Sequence, residues 1–417
     1  MKDMLGRDEL ITVEEALGLL LKHSPFKSPA ELFVLINKAF GMVISKDVIS
    51  PEDLPSFTRS TVDGFAVNSA GTFGATESVP SYLNIIAEIL MGRRPDFVLK
   101  KGECAKIATG GMLPEGADSV VMYEHTQLVG EGVIEVLKPV SPAENVIQAG
   151  EDAKKGECIL EKGHKLRPQD IGALAGLGIT DIWVYGKPGV SIISTGDEIV
   201  AADKPVMPGQ VRDINSYTLS GLISDAGGTP LRKGIFSDRY EIIRDAVEKS
   251  LKDSDMVLIS GGSSVGARDM TAGVINDMGA PGVLFHGVSL KPGKPMIGGI
   301  VNGIPLFGLP GHPAAVRVCF EIFIRPLLKI QSGCTGDRFV REERIIKARI
   351  AKNVSSSPGR EEHIGVALEE RNGEVWAVPL LGKSGLITTM TRADGTAVIP
   401  LRKSGIQQGE FVQVRLF

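Results

Sequence analysis

The sequence predicts a multidomain α/β plus all-β protein: a three-layer α/β domain, β-rich domains and a small C-terminal β domain. Three observations carry that reading. From residue 190 to 330, short apolar runs alternate with amphipathic helical stretches, the pattern of a sheet covered by helices on both faces. Residues 43–140 and the tail from 333 onward carry short β-prone runs between glycine and proline turns. The 417 residues also exceed what one hydrophobic core supports, so two to four domains are expected.

In chain order, Thr12 and Glu15 form a capping box ahead of a helix whose apolar face is Val13, Ala16, Leu17, Leu20 and Leu21. A second helix is expected to open at Ser28, Pro29 and Glu31 and to stop at Gly41. β-prone runs follow at 81–90, 119–123 and 133–137. The segment 150–187 is turn-rich around a small-residue helix over 169–177, closed by Gly178. Strands are then expected at 190–194, 231–235, 256–260, 283–288 and 304–308. They are interleaved with helices at 214–225, 239–252, 270–277 and 313–330. The tail returns to strands at 344–350, 375–379, 397–400 and 411–416, and no internal repeat is apparent.

Composition excludes several function classes. A net charge of −4, with no basic stripe interleaved with aromatics, gives no reason to expect nucleic acid, and two tryptophans and five tyrosines offer few stacking platforms. Cys104, Cys158, Cys319 and Cys334 lie far apart with no C-x-x-C pair, which excludes a zinc ribbon and argues for a reducing compartment. The polar start is not a secretory signal, and no apolar stretch reaches the length of a membrane span. A soluble, cytoplasmic protein is expected.

The candidate chemistry gathers in loops that follow apolar strands. Ser194-Thr195-Gly196-Asp197-Glu198, Ser260-Gly261-Gly262-Ser263-Ser264-Val265-Gly266 and Gly308-Leu309-Pro310-Gly311-His312-Pro313 each set glycine where backbone N–H groups could cradle an anion. Each is equally an ordinary turn or cap when taken alone. Asp269 follows the second loop at once, which suits a metal held beside a phosphate. Lys291-Pro292-Gly293-Lys294-Pro295 presents two ammonium groups from a stiff backbone, at small ordering cost. Pro313 fits the first turn of a helix, and His312 could cap it. In the β-rich part, 60–66 and 108–111 set Asp63 and Thr109 beside glycines, a vocabulary commoner in turns than in sites. No serine–histidine–acid set with a nucleophile elbow is visible, so covalent catalysis is unsupported.

Strung together, these motifs resemble the molybdopterin molybdenumtransferase (MoeA) family from the first helix to the end. The words are S-x-V-D-G-F-A at 60–66, A-T-G-G-x-L-P-E-G-A-D-S-V-V at 108–121, G-E-D at 150–152, S-T-G-D-E, D-I-N-S-Y at 213–217, S-G-G-S-S-V-G-x-x-D, K-P-G-K-P, G-L-P-G-H-P and the late S-G-L…A-D-G at 384–395. The resemblance implies the last step of molybdenum cofactor assembly, in which adenylylated molybdopterin and molybdate give the metal-loaded cofactor and AMP. It also implies magnesium, an elongated homodimer with a shared cleft, and the molybdopterin adenylyltransferase as a partner enzyme. The domains it implies are a helix at 1–27 packing with the α/β domain, a small linking α/β domain of 28–48 and 142–180, a β-rich domain at 49–141, the molybdopterin-binding α/β domain at 181–330, and a C-terminal β domain at 331–417.

Carried over by position, Asp63 is the acid that helps cleave the AMP linkage, Thr109 a hydroxyl of the substrate cleft, and Glu198 a further catalytic acid. Ser260, Gly261, Gly262, Ser263, Asp238, Lys291, Lys294, Pro310 and Gly311 bind substrate, and Asp269 and Glu198 hold magnesium. Val62 stands where many members carry methionine. Phe285-His286-Gly287 lacks a lysine that many place before K-P-G-K-P, so that lysine is not carried over and the part of His286 stays open. Two other readings compete: a molybdopterin adenylyltransferase-type enzyme, and a non-catalytic scaffold of the same fold. The β domains and Asp63 argue against the first, and the lack of a Pro/Ser-rich linker against the second.

Overall fold

The computed structural model describes residues 10–24, 29–261, 265–334, 345–382 and 385–417, with backbone alone over 265–268. The chain forms two compact units: Met1–Ser45, Lys162–Arg167 and Asp181–Phe417 make one, Lys46–Glu161 and Pro168–Thr180 the other.

In the first unit a six-stranded sheet runs in the order Thr229–Phe236, Gly189–Thr195, Met256–Gly261, Ile304–Leu309, Ile297–Val301, Pro281–His286. The first four strands pair in parallel, and Ile297–Val301 alone runs the other way, antiparallel to both its neighbours. Successive side chains of a strand face opposite layers, so Ile192 joins one apolar cluster and its neighbour Ile193 the other. Helix Asn215–Asp225 and the segment after Pro313 supply Leu219, Ile223, Val316 and Phe320 to the first cluster. Helices Tyr240–Asp253 and Val265–Met278 supply Ile243, Val247, Val274 and Ile275 to the second. This is the three-layer α/β arrangement the alternation predicts. The N-terminal helix Val13–His23 buries Ala16 and Leu20 in the first cluster, and Thr12 and Glu15 form its capping box.

Several expectations need correction. The proposed helix from Ser28 to Gly41 is a strand, Glu31–Leu35, followed by one helical turn, Ile36–Ala39; Ser28 lies outside the described residues. That strand pairs antiparallel with Asp181–Tyr185, setting Phe33 opposite Trp183, a contact far away in sequence that overrides the local cap signals. Strand Ile297–Val301 went unread because two glycines interrupt it. The glycines are needed: a Cβ on Gly298 would sit 2.3 Å from the Phe285 ring, and one on Gly299 2.7 Å from the Gly282 carbonyl. The helix expected at 313–330 is α-helical over Pro313–Cys319 and Arg325–Gln331, with a π-helical turn, Phe320–Ile324, between them.

The C-terminal strands Ile345–Ile350, Glu361–Arg371, Glu374–Pro379, Gly395–Ile399 and Phe411–Leu416 pair in a closed ring around Ile350, Val366, Ala377, Ile399 and Val414. Closure leaves a small barrel, and Leu290–Lys291 adds to its strand Glu361–Arg371 in parallel. Glu361–Arg371 was also missing from the expectation, since its run of charges hides the inward set Ile364 and Val366.

The second unit holds a six-stranded sheet in the order Ser119–Met122, Gly64–Val67, Glu103–Ile107, Ser81–Glu88, Val133–Val136, Thr126–Leu128. Phe65, Leu83, Val121 and Ile134 pack on one side; Ala66, Ala105, Ile107 and Val120 pack on the other. None of the four cysteines forms a disulfide, and burial pushes the Cys104 thiol up to about 12. Among the described residues no helix is long and apolar enough to cross a membrane.

Candidate active site

Three of the sequence-predicted loops leave adjacent parallel strands at the same edge of the α/β sheet, where Thr195 lies opposite Gly261 and Ser260 opposite Leu309. Gly261 is the residue that permits this closeness: its φ is +139°, and a Cβ there would lie 1.9 Å from the Thr195 carbonyl oxygen. The edge is tied together from one short segment at the start of helix Asn215–Asp225. Asn215 Nδ2 donates to Ser260 Oγ (2.9 Å) and to the Gly311 carbonyl (2.9 Å). Asp213 accepts from Ser194 Oγ (2.8 Å) and from the Ser216 amide (3.0 Å). All three strand ends are therefore held by residues 213–216. The Gly311 carbonyl can only accept, which fixes the amide orientation and leaves Asn215 Oδ1 buried without a partner. The D-I-N-S-Y motif supplies both clamp residues, and its local signal is an Asp and an Asn where a helix begins.

Acids gather beside this edge. Asp238, half-buried, has its carboxyl raised above the ordinary range by desolvation first, then by the like charges of Glu198 and Asp197; a hydrogen bond from the Thr195 side chain works against the rise. The Asp238 amide donates to Asp197 Oδ1 (3.3 Å), and Asp238 Oδ1 is buried with no partner. Glu198 and Asp269 are exposed. Among the described residues no three Asp, Glu, His or Cys side chains stand grouped as a ready cation site. The donors that are present are hard oxygens, one of them orphaned. They fit a magnesium ion held by one or two carboxylates and mostly by ligand phosphates and water. Gly262 and Ser263 lie outside the described residues.

The K-P-G-K-P segment is less free than its sequence suggests. Lys291 Nζ is 2.7 Å from Glu362 Oε1 on the barrel, while Lys294 has no ion-pair partner among the described residues. Both lysines line an open cavity of about 880 Å³, together with Arg360 and His312. Pro310 and Gly311, with Gly261 and Thr271, line a second cavity of about 140 Å³. Pro313 occupies the first helical turn as expected, but the side chain of His312 at the N-cap makes no capping hydrogen bond.

In the second unit the structure joins two motifs that looked separate. The Thr109 amide (2.7 Å) and its Oγ1 (2.9 Å) both donate to Asp63 Oδ1. These bonds, the backbone one foremost, hold the exposed Asp63 carboxyl below the ordinary carboxylate range. Two donors on Oδ1 leave Oδ2 available as an acceptor. The φ of Gly64 is not in the left-handed region, so a need for backbone freedom is not what places glycine there. Instead, a Cβ would meet the Val121 carbonyl at 2.0 Å, so close strand approach is what demands glycine here.

Comparison with known proteins agrees with these features. Three family profiles match in chain order: MoeA N-terminal region (domain I and II) over residues 11–178, probable molybdopterin binding domain over 191–330, and MoeA C-terminal region (domain IV) over 347–417. The chain is 32 % identical over 381 residues to the molybdopterin molybdenumtransferase of a Nostoc species, covering 90 % of this chain and 86 % of the relative. It is 30 % identical over 417 residues to that of Bacillus subtilis, covering 99 % and 95 %. A solved MoeA molybdopterin biosynthesis protein from Pyrococcus horikoshii superposes with a TM-score of 0.80 at 37 % identity, covering 98 % of this chain and 99 % of that one. Fold, strand-end loops and full-length relatives converge: this chain belongs to the MoeA family.

Proposed function

We propose that the protein is a molybdenum insertase, transferring molybdate into adenylylated molybdopterin with release of AMP. The observation that carries this reading is the edge clamped by Asn215, where three strand-end loops meet beside an acidic set. Such an edge holds a phosphorylated ligand by backbone donors at a fixed place. Lys291, Lys294 and Arg360, which line one cavity, supply positive charge for anionic ligands.

Asp63 serves the cleavage step. Its depressed pKa keeps it ionised near neutral pH, which suits orienting a water through Oδ2 better than carrying a proton. Thr109 holds that carboxylate in place. Glu198, Asp238 and Asp269 are the residues that would hold magnesium, which when bound offsets phosphate charge. We further propose a cytoplasmic homodimer in which the Asp63 turn of one subunit serves substrate bound to the other, and an encounter with the adenylyltransferase that makes the substrate; family membership supports both.

The test is a product assay with adenylylated molybdopterin. An insertase releases AMP when molybdate is supplied, an adenylyltransferase consumes ATP, and a scaffold does neither. Metal analysis of product formed with molybdate and tungstate together reads the anion preference.

A further inference from the structure

The start of the K-P-G-K-P segment, Leu290–Lys291, lies in parallel register on the barrel strand, with Leu290 opposite Glu361 and Lys291 opposite Glu362; the Glu361 amide donates to the Ser289 carbonyl at 2.9 Å. This pairing brings the Lys291 ammonium to 2.7 Å from Glu362 Oε1. The two partners differ in freedom. The Glu362 side chain is 12 % exposed, and its other oxygen accepts a 2.6 Å hydrogen bond from Ser356 Oγ; the Lys291 side chain is 47 % exposed. The carboxylate is thus the fixed member and the ammonium the open one. An ammonium has three donors, and one is committed to Glu362. The others are available to the cavity that Lys294 and Arg360 also line.

We propose that Glu362 is a positioning residue: it pins the Lys291 ammonium so that a flexible four-carbon side chain presents its remaining donors to an oxyanion at one place. The inference rests on the anion-binding role proposed for Lys291. Its physical basis is that a long lysine loses much rotamer freedom when it orders on a ligand, and a buried, already anchored carboxylate takes that loss before the ligand arrives. Displacement of Lys291 by the ligand is disfavoured, because it would strand a buried carboxylate.

The experiment measures the KM for molybdate in AMP release, with kcat and melting recorded for each variant. Glu362→Ala should raise KM roughly tenfold, about the worth of one charge-assisted contact, with a smaller change in kcat. Glu362→Gln keeps an acceptor without the charge and should fall between parent and alanine. Ser356→Ala, which loosens the carboxylate without leaving a lysine unpaired, should raise KM in the same direction by less. It also stands in if Glu362→Ala fails to fold. In a Lys291→Ala background Glu362→Ala should add nothing further, a coupling that a merely structural carboxylate would not show. Additive effects, or a lower KM in Glu362→Ala as expected if the carboxylate competed with the anion, would overturn the proposal. So would parental KM in both Glu362→Ala and Ser356→Ala while Lys291→Ala is impaired. If Lys291→Ala itself keeps the parental KM, the anion-binding role of that lysine falls first and this inference with it.

Discussion

Replacing Asn215 probes the clamp that aligns the strand-end loops. Its amide makes two partly buried hydrogen bonds, to Ser260 Oγ and to the Gly311 carbonyl, each at 2.9 Å. At about 0.5–1.5 kcal/mol net for each, Asn215→Ala should cost roughly 1–3 kcal/mol. In a domain of this size that lowers the melting temperature by about 2–4 °C per kcal/mol. Asn215→Asp is nearly isosteric and more severe. It turns the donor into a carboxylate facing the Gly311 carbonyl, and it adds charge close to Asp213. The Ser260 hydroxyl can rotate to donate, but the Gly311 carbonyl cannot adapt. Because misplacing a binding loop by about 1 Å can cost on the order of 10²-fold in rate, AMP release should fall much further than stability. Thermal melting and AMP release on the same preparations provide the comparison. Parental melting and turnover in Asn215→Asp would refute the clamp.

Asp63→Asn should bind adenylylated pterin and melt close to the parent, yet release AMP about two orders of magnitude more slowly; survival of AMP release would shift the role to Asp269 or Glu198. Thr109→Val removes the hydroxyl donor that stabilises the charged Asp63, so the Asp63 pKa should move up and the acid limb of kcat/KM should shift to higher pH, whereas an unmoved limb would separate Asp63 from that ionisation. Glu198→Gln takes away a like charge that raises Asp238, so the Asp238 carboxyl should titrate at lower pH by NMR, and no movement would mean that Glu198 has no part in raising it. Mixing Asp63→Ala with Lys291→Ala protein should restore part of the activity, since each heterodimer holds one cleft free of both changes; absence of recovery with demonstrated subunit exchange would count against a shared cleft.

Much of this architecture was legible because its signals are local. Thr12 and Glu15 are three residues apart, so the capping box can be read directly. The apolar runs at 190–194, 256–260 and 304–308 announce buried parallel strands by composition alone. The motif words, with their glycines at tight approaches, were enough to recognise the family. The misreadings share one cause. The segment after Ser28 carries helix-start residues but becomes a strand because its partner lies at Asp181–Tyr185. Ile297–Val301 carries glycines that look like breakers, and only the Phe285 ring over Gly298 and the Gly282 carbonyl against Gly299 explain their presence.

The site divides in the same way. Sequence identified the loops, Asp63, Thr109 and the two lysines as candidates, since each residue type declares its chemistry. It could not tell that Thr109 donates twice to Asp63, that Asn215 spans two loops, or that Lys291 is held by Glu362. Those facts depend on polar groups 45 to 96 residues apart along the chain meeting within 3 Å. A local pattern records which groups a chain owns; hydrogen bonds and ion pairs fall off over a few ångströms, so which groups act together is decided only when the tertiary fold brings them into contact.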